Sequence, residues 1–270
     1  MELQKHCQLK NGVNKILSAK ETALSYLEMD IIVLNQGQIY RERLEKKEAV
    51  LVILSGQARL DLPPFLSGES LGTRKDVFQG RPEGAYLGTN ASFLFSAETP
   101  LLEAAILRAP AEQALHSYVV KKQEIRLEKR GGPNFRRRVA EIVGTNLPAE
   151  RLIVGETVNE SGNWSSYPPH KHDRDRLPEE SSLEEIYFFR IRPENGFGMM
   201  YIYTEEREID QPLVIYHNDL VAIPKGYHPV VAAPGYEIYY LWALAGKKRI
   251  MKVYEDPRHA WVNRTKIKDF

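Results

Sequence analysis

Residues 218–230 read NDLVAIPKGYHPV and contain the pattern that decides the fold. The run 220–223 is short and apolar, which is typical of a buried strand. A Pro-x-Gly turn at 224–226 follows, and His228 then stands at the start of the next predicted strand, 230–233. A histidine presented by a tight turn between two buried strands is a candidate ligand on the inner face of a β-barrel.

The sequence on both sides has the same rhythm of short apolar runs and turn residues. In the C-terminal half the predicted strands are 152–154, 185–191, 198–203, 213–216, 220–223, 230–233 and 237–243. In the N-terminal half they are 49–54, 57–62, 92–96 and 101–107. This spacing predicts an all-β chain built from sandwiches or barrels.

The two halves are separated by a charged stretch interrupted by Gly131, Gly132 and Pro133. We therefore predict an N-terminal domain over 1–125, a linker over 126–150 and a C-terminal domain over 151–270. Helix is expected only at 111–115 and 134–143. The basic run 136–138 could bind phosphate, but a solvated linker, or pairing with acidic groups at an interface, is the favoured interpretation.

Composition excludes several classes of function. Lys and Arg number 37 against 36 Asp and Glu, so no net charge favours nucleic acid or an anionic membrane. One cysteine, Cys7, allows neither an internal disulfide nor a thiolate cluster. The N-terminus lacks the features of a signal peptide, and no apolar run is long enough to span a bilayer. We expect a cytoplasmic protein with neither nucleic-acid nor membrane partners.

Five of the seven histidines follow residue 169. His170 and His172 stand two apart, and residues two apart in a strand project from the same face. Glu185 opens the next predicted strand and shares a face with Tyr187 and Phe189, whereas Glu184 falls on the other face. Parity does not say which face is inward, and the family resemblance given below favours Glu185. His170, His172, Glu185 and His228 are therefore the predicted ligands of one divalent metal: zinc, manganese, iron or nickel.

These motifs resemble the cupin superfamily, which contributes two histidines and a glutamate and then a histidine after a Pro-x-Gly turn. The segments SSYPPHKHD (165–173), LEEIY (183–187), PKGYHPVVAAPGY (224–236) and DPRHAW (256–261) more closely resemble the 5-deoxy-glucuronate isomerase family of bacterial inositol catabolism. The resemblance extends over the full length and is weakest in the first half. It implies a bicupin, with two tandem jelly-roll-like barrels of which the N-terminal one has lost its ligands.

The same resemblance implies an aldose–ketose isomerase that converts 5-deoxy-D-glucuronate, a sugar acid, into 5-dehydro-2-deoxy-D-gluconate. Tyr187, Tyr203 and Lys225 are candidate polar groups of the pocket. Lys171 lies beside two ligands, but strand alternation points it away from the metal, so we expect it to be a surface charge. Exposed barrel edges and the arginine-rich linker favour a homo-oligomer.

Other functions share the same ligands. A related uronate isomerase, of the 5-dehydro-4-deoxy-D-glucuronate type, would differ only in the lining of its pocket. A cupin dioxygenase would use the ligands for iron and oxygen chemistry. The barrel could also be a non-catalytic sugar-binding protein. A role as a DNA-binding regulator is disfavoured, because no helix-turn-helix pattern is visible.

Overall fold

Short apolar runs separated by turn residues form β-strands along the whole chain in the computed structural model, which describes residues 2–18 and 23–264. The strands up to the middle of the chain are β1 (Gln4–His6), β2 (Gly12–Leu17), β3 (Glu28–Asn35), β4 (Ile39–Arg43), β5 (Lys47–Ser55), β6 (Ala58–Leu62), β7 (Leu66–Leu71), β8 (Gly84–Leu87), β9 (Ser92–Ala97), β10 (Leu101–Pro110), β11 (Tyr118–Val120), β12 (Arg126–Arg130) and β13 (Arg137–Val143).

The rest of the chain has the same character. Its elements are β14 (Ile153–Asn159), β15 (Trp164–Ser165), β16 (His170–Lys171), β17 (Asp173–Arg176), β18 (Glu180–Ser182), β19 (Glu184–Arg192), β20 (Gly198–Tyr203), β21 (Asp210–Ile215), β22 (Asp219–Ile223), β23 (Val230–Ala232), β24 (Glu237–Ala245), β25 (Tyr254–Glu255) and the helix α1 (Trp261–Arg264). The prediction of an all-β chain is confirmed. No helix in the described ranges has the length and apolar character that crossing a membrane would require.

The two predicted helices are wrong. Residues 111–115 have no regular structure, because the Glu150 carboxylate accepts hydrogen bonds from the backbone N–H groups of Glu112 and Gln113 and holds them in a turn. Residues 137–143 form strand β13, where Val139, Ile142 and their neighbours are buried in a sheet. β-Branched side chains of this kind suit a pleated, buried surface better than a helix.

The chain divides into two compact units. One consists of Met1–Cys7, Leu127–Val139 and Glu156–Phe270, and the other of Gln8–Arg126 and Ala140–Gly155. This division differs from the predicted boundaries, because the first residues and the segment 127–139 belong with the C-terminal part. The segment 126–150 is not a linker, since β12 and β13 are strands of a seven-stranded sheet.

The unit that contains Gln8–Arg126 has two antiparallel sheets, with strand orders β11-β8-β5-β10-β3-β2 and β4-β9-β6-β7. Alternate side chains of both sheets meet in one apolar core, which includes Ile32, Leu51, Phe95 and Ile106. Packing of two such inner faces on each other is the basis of a jelly roll.

The other unit contains most of a large sheet, of order β1-β22-β19-β24-β14-β13-β12, and a four-stranded sheet of order β15-β23-β20-β21. Two small ribbons, β16-β25 and β17-β18, complete it. In the large sheet Glu185 of β19 lies opposite Ile223 of β22 and Leu244 of β24. Directly opposed residues of antiparallel strands share a face, so this register fixes which side chains accompany Glu185.

Candidate metal centre and active site

The His170 and His172 side chains are brought together by an extended segment. His170 begins β16, which pairs with β25, and His172 lies between β16 and β17. The centroids of the two imidazole rings are 6.4 Å apart. The alternation expected from the sequence therefore holds, and Lys171 between them points to the opposite side.

Glu185 is buried at the start of β19, only 4% exposed. Its Oε2 atom lies 3.1 Å from Nε2 of His172 and 3.2 Å from Nε2 of His228. The ring of Tyr187, two residues further on, lies 5.9 Å from the His228 ring. Glu185, the member of the Glu184 and Glu185 pair that was chosen from the sequence, therefore lies beside the histidines.

His228 follows the Pro-x-Gly turn at 224–226 and is completely buried. Gly226 in this turn has φ of 98°, and a Cβ atom added there would lie 2.7 Å from the carbonyl oxygen of Tyr203. Only glycine combines that backbone angle with such a close approach. The turn therefore depends on Gly226 to aim His228 at Glu185.

Hydrogen bonds fix the tautomers of the imidazole rings. Nδ1 of His172 lies 2.9 Å from the carbonyl oxygen of Leu183, and Nδ1 of His228 lies 2.9 Å from that of Gly226. A carbonyl oxygen can only accept, so each Nδ1 carries the proton and donates it. The Nε2 atoms are left as the electron-pair donors, which is how backbone carbonyls orient histidine ligands in metal sites.

The donor set therefore suits a divalent metal. Without a metal, a proton on an imidazole Nε2 atom would have to face the carboxylate oxygen at 3.1–3.2 Å, and a metal ion can take the place of that proton. Two ligand atoms that are each about 2.1 Å from one metal lie roughly 3.0–3.4 Å apart. Nε2 of His228 has no hydrogen bond of acceptable geometry, although it is buried beside Glu185. A role as a metal ligand would account for this unpaired Nε2 atom.

His172, Glu185 and His228 form the one group of potential ligands found in residues 2–18 and 23–264, with ligand atoms within 4.8 Å of one another. The fourth predicted ligand, His170, stands outside this group but beside it. Its ring centroid is 5.0 Å from that of His228. The structure thus brings three predicted ligands together and places the fourth in ring contact with them.

The charges of the cluster follow from burial and from one another. Burial acts to raise the pKa of Glu185, but a hydrogen bond from His172 and the positive charge of His172 and His228 in their protonated forms lower it to about 2. Burial lowers the pKa of His170 to about 3, helped by His228 and His172. At neutral pH the cluster therefore offers an ionised carboxylate and a neutral imidazole at His170, the forms in which these groups bind metals.

Two tyrosines line the same inner face. The Tyr187 hydroxyl lies 3.0 Å from Oγ of Ser166, and the Tyr240 hydroxyl donates to Oγ of Ser165 at 2.8 Å. Their ring centroids are 4.4 Å apart. Burial raises the pKa of Tyr187 well above 10, and Glu185 adds to this, so the hydroxyl keeps its proton. Tyr240 was not predicted as a site residue from the sequence. Its spacing of two from Trp242 in a predicted strand could have indicated that the two side chains share a face.

Tyr203 and Lys225, the other predicted pocket residues, have partners elsewhere. The buried Tyr203 hydroxyl donates to Oδ2 of Asp256 at 2.8 Å, and Arg207 lies over its ring. Lys225 is exposed and forms an ion pair with Glu208. Within the described ranges, the contacts of these two side chains do not include the histidine and glutamate cluster.

The prediction that Lys171 is a surface charge is wrong. Lys171 is 1% exposed, and its Nζ lies 2.7 Å from both Oδ1 of Asp173 and Oε1 of Glu180. The other oxygen of Asp173 accepts a hydrogen bond from the backbone N–H of Gly226 at 2.8 Å. Lys171 and Asp173 therefore connect the segment that carries His170 and His172 to the turn that carries His228.

The fold and the site together define a bicupin, a protein of two tandem cupin units. A solved structure of oxalate decarboxylase from Lactobacillus farciminis is similar over 98% of this chain and 91% of that one, with a TM-score of 0.67. At 11% sequence identity the likeness shows the fold alone. The fold class predicted from the sequence is confirmed.

Residues 3–262 match the KduI/IolB family, and the chain belongs to that family. Proteins named 5-deoxy-glucuronate isomerase are similar over most of the chain. The one from Halalkalibacterium halodurans is 39% identical over 94% of this chain and 95% of its own length, and the one from Geobacillus kaustophilus is 41% identical over 90% and 87%. The crystal structure of an IolB-like protein from Salmonella typhimurium matches with a TM-score of 0.92 at 30% identity, over 97% of this chain and 100% of that one.

Proposed function

We propose that this chain is a metal-dependent aldose–ketose isomerase that converts 5-deoxy-D-glucuronate into 5-dehydro-2-deoxy-D-gluconate. The observation that carries the proposal is the convergence of Nε2 of His172, Nε2 of His228 and the Glu185 carboxylate in a chain of this family. The names of the similar isomerases support the choice of substrate. Assembly into a homo-oligomer and a cytoplasmic location stay predictions from the sequence.

In the proposed site His170, His172, Glu185 and His228 hold one divalent metal ion. The bound metal would supply Lewis acidity, which polarises the substrate carbonyl and stabilises the negative charge that develops on its oxygen. Three imidazoles and one carboxylate suit zinc, manganese, iron or nickel.

The reaction moves a carbonyl group from the terminal carbon to its neighbour. A proton must leave the neighbouring carbon and a proton must be added to the terminal one, so the site needs groups that hold developing charge on two adjacent oxygens. The buried aromatic face around Tyr187 and Tyr240 keeps bulk water away from this step.

Tyr187 is proposed as a hydrogen-bond donor in this site. Its raised pKa keeps it protonated, so it can donate to a substrate oxygen but cannot act as the base at neutral pH. Tyr187→Phe removes this donor and is expected to lower kcat by roughly 10- to 100-fold. Steady-state kinetics of Tyr187→Phe would check this, with Tyr203→Phe measured as the comparison variant. A larger fall in kcat for Tyr203→Phe than for Tyr187→Phe would contradict the assignment.

The proposed function is tested by incubating the metal-loaded protein with 5-deoxy-D-glucuronate in D₂O and following the reaction by proton NMR. We expect the aldehyde signal to be replaced by the signals of the ketose, without consumption of oxygen. Deuterium in the new methylene group would show that the proton exchanges with solvent during transfer. Absence of the ketose with a metal-loaded, folded protein would refute the proposed activity.

A further inference from the structure

The three arginines of the basic run at 136–138 make different contacts. Arg136 forms an ion pair with Glu160 at 3.3 Å, and Arg138 approaches Glu237 at 4.0 Å. Arg137, between them, donates from Nη1 to the carbonyl oxygen of Phe135 at 3.2 Å. Among the described residues, no carboxylate lies within ion-pair distance of Arg137. Arg136 and Arg138 therefore pair with acidic groups of their own unit, and not across an interface as predicted, whereas Arg137 pairs with none in the described ranges.

The turn before Arg137 lies close to the guanidinium of that residue. Gly131 has φ of 95°, and a Cβ atom added there would lie 2.9 Å from Nη1 of Arg137 and 1.9 Å from the carbonyl oxygen of Phe135. No other residue type combines this backbone angle with that space. The glycine thus leaves room for the guanidinium to fold back towards the turn.

This turn is fastened to the segment that leads into His170. The backbone N–H of Trp164 donates to the carbonyl oxygen of Asn134 at 2.8 Å, and the backbone N–H of Arg136 donates to Oδ1 of Asn163 at 2.9 Å. The ring of Phe135 packs 6.1 Å from that of Tyr167. Arg137 is consequently held in a fixed position relative to the start of the metal-binding segment.

The Arg137 guanidinium is near the two tyrosines of the site. Burial lowers its pKa, while Tyr240 and Tyr187 interact with it electrostatically and counter that effect. Strand β13 lies two positions from β24, which carries Tyr240, in the same sheet. The Tyr187 ring contacts both the His228 ring and the Tyr240 ring, so the two tyrosines connect the histidine cluster to a half-buried cation with no carboxylate at ion-pair distance in the described ranges.

A half-buried cation of this kind calls for an anion. Guanidinium groups bind carboxylates through two parallel hydrogen bonds, and the pairing is strong where water is scarce. A uronate has its aldehyde at one end of the carbon chain and its carboxylate at the other. In the binding mode that we infer, the aldehyde end lies at the histidine cluster and the carboxylate end points towards the tyrosines and Arg137.

We propose that Arg137 binds the substrate carboxylate and so selects a uronate over a neutral sugar. This role rests on the proposed function and deepens it. It makes Arg137 a specificity-determining residue, whereas Arg136 and Arg138 form ion pairs at the surface of the unit.

The test compares Arg137→Gln with Arg136→Gln and Arg138→Gln on two substrates, 5-deoxy-D-glucuronate and its neutral counterpart 5-deoxy-D-glucose. We expect Arg137→Gln to lower kcat/KM for the uronate by about 10- to 100-fold, chiefly through KM, because a charge-assisted hydrogen bond is lost. Its kcat/KM for the neutral sugar should match that of the wild type. The two neighbouring variants should keep the wild-type preference.

Arg137→Lys keeps the charge without the planar fork, so it should restore part of the preference, and it carries the test if the Gln variant fails to fold. An equal loss on both substrates, or an unchanged preference, would overturn the role of Arg137. A wild-type protein that converts neither substrate would instead refute the proposed function.

Discussion

Replacing Glu185 with glutamine is expected to lower kcat/KM by at least about 10³-fold, because the charge that completes the metal site is lost. Gln has the size of Glu, so the inner face of β19 should keep its packing. Metal analysis of the purified variant should show less than the metal content of the wild type, and circular dichroism should show the same strand content.

Glu184→Gln is the matched control for this prediction. Glu184 is the preceding residue of the same strand and projects from the opposite face. Its variant should keep the wild-type metal content and activity. If Glu185→Gln remained fully active, or if the two variants lost activity equally, the assignment of Glu185 as a ligand would be wrong.

Lys171→Met is expected to destabilise the protein by roughly 3 kcal/mol, because Asp173 and Glu180 would lose the ammonium group that both contact. Glu180 is completely buried and would keep its ion pair with Arg176, at 3.2 Å, and the hydrogen bonds that it accepts from the backbone N–H groups of Asp173 and Arg174. For a chain of this size the melting temperature should fall by roughly 6–12 °C. Differential scanning calorimetry of the metal-loaded proteins measures this change.

Lys225→Met provides the comparison. The Lys225 and Glu208 side chains are exposed, and exposed ion pairs contribute little to stability. Its melting temperature should stay close to that of the wild type. A similar melting temperature for both lysine variants would show that the buried Lys171 cluster does not stabilise the fold.

Local sequence patterns brought together most of the candidate site. The spacing of His170 and His172 depends on strand geometry within a few residues, which sequence reveals directly, whereas the choice of Glu185 over Glu184 needed the family resemblance as well. The turn before His228 is equally local, because Gly226 and Pro224 mark it. The strand rhythm likewise predicted an all-β chain.

Features that depend on distant partners were not predictable in this way. Lys171 was taken for a surface charge because alternation points it away from the metal, but Glu180, on another strand, buries it on that side. Tyr203 was expected in the pocket, yet its hydroxyl is bound by Asp256, which lies far along the chain. Strand β13 was taken for linker or helix because its charges and the preceding glycines hid the buried Val139 and Ile142.

One divalent metal at the histidine and glutamate cluster is proposed to be required for isomerisation, and metal titration tests this requirement most directly. Protein stripped with a chelator should be folded and inactive towards 5-deoxy-D-glucuronate. Activity should return in proportion to added metal and reach its maximum at one ion per chain. Full activity in the stripped protein, or no recovery with zinc, manganese, iron or nickel, would contradict the claim.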